Sequence, residues 1–181
     1  MRGTMEKWDL YAADRTKISK QAIRGEEFAP NEFHLVVHVC IFNRKGEMLI
    51  QQRQPFKDSW QNLWDLTCGG SAVAGDTSQQ AAARELFEEL GITYNFEGMR
   101  PQLTINFSRG FDDIYLIELD VDLNTLVLQP EEVQAAKWAT KEEILDMIQD
   151  KTFIPYYESF ISFLFDARLH SDSITRQKAW R

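Results

Sequence analysis

The chain has 181 residues, 28 of them acidic and 20 basic, for a formal net charge of −8. With 44% hydrophobic and 27% charged residues it has the make-up of a globular chain, which excludes a fibrous or disordered one. A pI near 4.9 leaves it without the massed lysine and arginine that grip polyanions, so neither a nucleic-acid polymer nor a membrane surface is an expected partner.

The length suits one domain spanning 1–181, large enough to fold without a disulfide or metal staple. Cys40 and Cys68 are too few for a disulfide framework. The first ten residues are mixed polar and charged, unlike a signal peptide. The longest apolar run, residues 35–42, is far short of the roughly 20 residues that span a bilayer. The expectation is a soluble, cytoplasmic protein.

Residues 1–32 read as an N-terminal extension, with two short strands at 8–11 and 18–23 around a polar turn, hence a hairpin. Residues 33–150 form the core. Apolar, β-branched runs at 34–43 and 47–52 flank Arg44-Lys45-Gly46, a second hairpin. Further strands are expected at 103–107, 113–119 and 133–138, and helices at 77–90 and 140–148. Such a mixture predicts an α+β fold, a mixed sheet covered by helices. A C-terminal helix over 153–170 carries an aromatic stripe of Tyr157, Phe160, Ile161 and Leu164 at helical spacing. Such stripes usually face a core; the alternatives are an aromatic substrate wall or a homodimer surface. Residues 171–181 are expected to fray.

The chemistry concentrates in Gly69–Ile92, GGSAVAGDTSQQAAARELFEELGI. Asp76, Thr77 or Ser78 can cap the helix, and Gly91 suits its left-handed end. Ala83, Leu86, Phe87 and Leu90 make one apolar stripe, with Glu85, Glu88 and Glu89 gathered on the opposite side. Three neighbouring carboxylates make either a solvated face or an oxygen-only ligand set for a hard cation such as Mg²⁺.

This stretch resembles the box of the Nudix hydrolases, a Gly, five residues, Glu, seven residues, then Arg-Glu-aliphatic-x-Glu-Glu-x-Gly-aliphatic. Gly70, Asp76 and the run from Arg84 to Ile92 reproduce its spacing, with Asp76 where the family has Glu. Such a match arises by chance at on the order of 10⁻⁸ per start position. The resemblance implies a Nudix α/β/α sandwich with a mixed β-sheet. It also implies hydrolysis of a diphosphate linkage in a small nucleoside-diphosphate-X or related compound, with Mg²⁺ or Mn²⁺ as cofactor. It places the metal on Glu85, Glu88 and Glu89, gives Arg84 the task of orienting Glu85, and brings the backbone of Gly69 and Gly70 to the metal and phosphates. The general base is then Glu85 or a later glutamate, for which Glu131 and Glu132 are the candidates unless they are plain loop acids. Asp76 either caps the helix, braces Arg84, or reaches the metal's outer shell.

Residues 9–14, His34–His38 and Trp60-x-x-x-Trp64 also resemble the subset that includes isopentenyl-diphosphate isomerase. His34 matches one of its metal histidines. In register, however, its catalytic cysteine falls on Gly69 and its next histidine on Ser71, while its distal acids fall near Phe111 and Asp113. The isomerase is therefore the second reading, with Cys68 expected as a small buried residue and His34 as a strand-start histidine. A ligand-binding protein with weakened catalysis, through Asp76, is the third. Arg53 and Lys57 are candidate phosphate contacts or surface cations. Trp60, Phe107 and Phe111 are candidate stacking residues or core.

Overall fold

The computed structural model describes residues 6–168. The N-terminal hairpin forms as expected, from β1 (Lys7–Tyr11) and β2 (Lys17–Ile23) in antiparallel register. Leu10 and Ala22 bury one face of it, and Arg15 turns the chain in the left-handed region at φ 67°.

A second sheet holds the remaining strands. The strand β3 (His34–Phe42) turns through Gly46, at φ +82°, into β4 (Met48–Arg53). The two pair in register at Phe42 and Met48 and then diverge. Beyond that point β3 takes β6 (Cys68–Ser71) as an antiparallel neighbour, while β4 pairs with β5 (Trp64–Asp65) and β9 (Val133–Ala139). On its other side β3 runs parallel to β8 (Gly110–Glu118), which pairs antiparallel with β7 (Leu103–Phe107). The mixed sheet follows the sequence expectation. Neither β5 nor β6 does: the first is two residues long, and the second is Cys-Gly-Gly-Ser, with no apolar alternation to read.

Helices cover both faces, because alternate strand residues point to opposite sides. Leu35, Val37, Val39 and Ile41 of β3 pack with Ala81, Ala82, Leu86 and Leu90 of α1 (Ser78–Leu90). Cys40 and Phe42 face the other way, onto Ile144 of α2 (Lys141–Gln149) and Ile161, Leu164 and Phe165 of α3 (Glu158–Ala167). The result is an α/β/α sandwich.

Two helix expectations need correction. The C-terminal helix begins at Glu158, not 153, because Phe153 pairs with Trp64 in a parallel bridge and Pro155 follows. Its stripe packs on the sheet through Ile161 and Leu164, but Tyr157 precedes the first turn and is 84% exposed. In α1 the buried face is rotated: Phe87 is 60% exposed, while Glu89 is only 5% exposed. The fraying expected of residues 171–181 lies outside the described residues.

Candidate active site

The helix α1 is fixed at both ends. Thr77 is its N-cap, closing a capping box with Gln80, and Gly91 ends it at φ 70°. Asp76 does not cap. Its Oδ2 accepts from Arg84 Nε at 3.1 Å, the bracing role. Arg84 also donates through Nη1 to Glu85 at 2.8 Å and to Glu88 at 3.0 Å, and through Nη2 to the Ser71 carbonyl at 3.0 Å. Burial opposes the guanidinium charge, but Glu85, Asp76 and Glu88 hold its pKa above the ordinary value.

The three glutamates do not share a solvated face. Glu88 is half exposed, whereas Glu85 and Glu89 lie at the seam between α1 and the sheet. Gly70 explains how. A Cβ there would overlap the Glu85 carboxylate, so the missing side chain lets the acid lie flat on β6. Glu89 receives Gln51 Nε2 at 2.7 Å from β4. Burial pushes both carboxyls up: Arg84 opposes the shift at Glu85, while the Glu85 charge adds to the larger shift at Glu89. Rotating these acids toward the sheet is what turns Phe87 outward.

Gly69 faces the other side of the sheet. A Cβ at that position would overlap the His38 ring. Both glycines therefore stand in a strand, where close packing from each face requires them.

A cleft of about 250 Å³ opens over this seam, lined by Gly69, Gly70, Arg84 and Glu85, with Glu88, Glu89 and Glu132 completing its acidic wall. Of the two later glutamates, Glu132 lines the cleft and pairs with Lys57, while Glu131 is exposed outside it. The cleft is smaller than the roughly 300–1,000 Å³ of a typical ligand site, a size that suits a charged group rather than a whole nucleotide. A larger cavity of about 490 Å³ lies on the opposite face, lined in part by His38, Arg53, Trp60, Asp65 and Tyr156. Arg53 and Trp60 thus gather there, away from the acids.

Other residues singled out in the sequence have different surroundings. His34 opens β3, stacks on Trp8 at 4.6 Å, and is held neutral by burial, its pKa pushed down to about 4. Cys68 is fully buried in the core. Phe111 is buried beside Phe33, and Phe107 meets His34 edge-on. Sequence reasoning missed Gln51, whose buried Oε1 has no partner among the described residues, and it missed Glu6 and Arg24, which line the cleft from the hairpin. Nothing in periodicity or spacing marks them, since each reaches the cleft through tertiary packing.

Among the described residues no three His, Cys, Asp or Glu side chains converge as a ready cage for a metal ion. Mg²⁺ needs no such cage, because it takes one or two carboxylates and keeps waters and phosphate oxygens. The donor set fits it: all-oxygen, with Glu85 beside the buried Glu89 and, among the described residues, no cation paired to Glu89.

Such a sandwich, with an arginine-braced glutamate helix laid on a glycine strand, defines a class. A family model for the NUDIX domain matches residues 32–161, and the chain belongs to the Nudix family. Within it the chain is a hydrolase, 50% identical over 164 residues to an uncharacterized Nudix hydrolase of Listeria monocytogenes, covering 91% of this chain and 96% of that one. It is also 29% identical over 135 residues to an isopentenyl-diphosphate Delta-isomerase of Streptomyces coelicolor, covering 71% and 68% of the two. A crystal structure of a Deinococcus radiodurans protein shares the fold, with TM-score 0.72, 22% identity, and 87% and 98% of the two chains covered.

Proposed function

We propose that the chain is a pyrophosphohydrolase that uses Mg²⁺ or Mn²⁺ to cleave a diphosphate linkage in a small nucleoside-diphosphate-X or related compound, in the cytoplasm. The carrying observation is the buried Glu89 carboxylate beside the largely covered Glu85 carboxylate, both facing the cleft at Gly70. Glu85, Glu88 and Glu89 would hold the cation, which supplies charge neutralisation for the diphosphate oxygens and makes water a stronger acid.

The chain's own residues do the rest. Arg84 fixes Glu85 and Glu88 in direction and is itself fixed by Asp76. Glu132, across the cleft, accepts the proton of the attacking water as the new P–O bond forms and the bridging P–O bond breaks. Glu85, tied to Arg84, stays a ligand rather than the base.

The isomerase reading fits less well. Its thiol position is Gly69, where His38 already fills the space, and Asp113 is tied to Arg15. A panel of nucleotide sugars, nucleoside triphosphates and isoprenoid diphosphates, each with Mg²⁺ or Mn²⁺, tests the proposal. Wild-type protein should release phosphorylated products from at least one compound, and Glu89→Gln should abolish this while keeping the circular dichroism spectrum. Wild-type turnover in Glu89→Gln would remove the metal assignment. An allylic isomer without phosphate release would favour the isomerase, and binding without turnover a non-catalytic role. Glu132→Gln should lower kcat by about 10²–10⁴, the usual worth of a general base.

A further inference from the structure

The lining of the acidic cleft extends outside the matched region. Glu6 and Arg24 both lie before residue 32, and the N-terminal hairpin brings them to the cleft. We infer that this hairpin is part of the substrate site, with Arg24 binding a phosphate oxygen of the diphosphate. The inference rests on the diphosphate reading above.

Charge supplies the first reason. The cleft's lining carries Glu6, Glu85, Glu88, Glu89 and Glu132 against only two cations, Arg24 and Arg84. A diphosphate adds further negative charge to a wall that is already acidic. Arg84 is not free to meet it, because its donors are engaged by Asp76, Glu85, Glu88 and the Ser71 carbonyl. The Arg24 side chain engages Glu6 alone among the described residues, through Nη1 at 3.0 Å. A guanidinium has five N–H donors in a fixed fork, so one edge can stay on Glu6 while another takes phosphate.

Placement supplies the second. Arg24 stands on a tight turn just after β2, where its backbone N–H donates to the Glu6 carbonyl at 2.9 Å and Gly25 follows at φ +95°. Glu6 is steadied in turn by Trp8 Nε1, 2.6 Å from its other oxygen. The hairpin as a whole is fastened to the segment that leads into α1. Ala74 N–H donates to the Lys7 carbonyl and Gly75 N–H to Asp9 Oδ2, both at 2.7 Å. Arg15 forks onto Asp113, which also accepts from Ser78, the first residue of α1. Arg24 is therefore held in fixed relation to the glutamate helix, as a wall of the site rather than a loose arm.

The test is calorimetric binding of methylenediphosphonate, a diphosphate analogue without a hydrolysable bridge, in the presence of Mg²⁺. Arg24→Ala should weaken binding about tenfold, the worth of one charge-assisted hydrogen bond to phosphate. Arg24→Lys, which keeps the charge but loses the fork, should fall between the two. Arg44→Ala removes the same charge from the exposed β3–β4 turn, where Arg44 pairs with Asp120, and should bind like wild type. On a hydrolysed substrate Arg24→Ala should raise KM and leave kcat in place, the mark of binding shared by ground and transition states. Equal binding by wild type and Arg24→Ala would overturn this inference alone. Failure of the wild type to bind the analogue would overturn the diphosphate reading and this one with it.

Discussion

Gly69 and Gly70 are neighbours in β6, yet the same added methyl group would have different consequences at each. At 69 it meets the ring of His38, which Asp112 holds in place through Nδ1, so Gly69→Ala should lose about 1–3 kcal/mol in urea unfolding. At 70 it meets the end of a flexible side chain, the Glu85 carboxylate, which can swing away. Gly70→Ala should therefore keep most of its stability but lose at least about tenfold in kcat/KM, a barrier change of about 1.4 kcal/mol. His38 supplies a further measurement. Burial works against its charged form, but Asp112, 2.8 Å from Nδ1, wins and pushes its pKa up to about 9 from 6.5. A folded pKa above the unfolded one gives stability that is complete below pH 6.5 and is lost as pH rises to about 9. Wild type should thus lose more stability than Asp112→Asn between pH 6 and pH 9 in paired urea titrations.

The helix α1 was legible from sequence because its signals are local: Asp76, Thr77 and Ser78 as cap candidates at the start, Gly91 at the end, and the box spacing between. Its orientation was not, since the side that faces the sheet is decided by packing onto Gly70 and by Gln51, the latter from a strand distant in sequence. The same limit applies to β6, whose glycines carry no strand signal, and to the hairpin, whose place beside the cleft follows from contacts that no spacing records. One of those contacts, from Arg15, is made to Asp113, buried in β8. Burial alone would raise its carboxyl, but hydrogen bonds from Arg15, Thr104 and Ser78 hold it below the ordinary range. Asp113→Ala would leave these donors unpaired, and the loss should be about 3 kcal/mol or more by chemical denaturation. Arg15→Ala should cost less, because the arginine is partly exposed and water can replace it.

For the molecule as a whole, an excess of acids at first excludes polyanions, yet three of those acids mark where a diphosphate is expected to sit through a cation. Binding to the folded state alone should show as thermal stabilisation. At a hundred times Kd, Mg²⁺ with methylenediphosphonate should add about 2.7 kcal/mol, or roughly 5–10 °C in Tm, and Glu89→Gln should abolish the shift. The parallel pairing of β3 with β8 carries a different implication, for the order of assembly. Residues 34–42 must find residues 110–118, and α1 with its glutamates lies in the loop that this pairing closes. The helix can nucleate early on its own capping box, but Asp113 reaches Ser78 only once β8 has docked. Closing so long a loop is slow, and Glu132 reaches the cleft only when β9, the strand after β8, has docked on β4. The cleft is therefore completed in the same step that completes the sheet, so a nascent chain has no working site before it has a folded one.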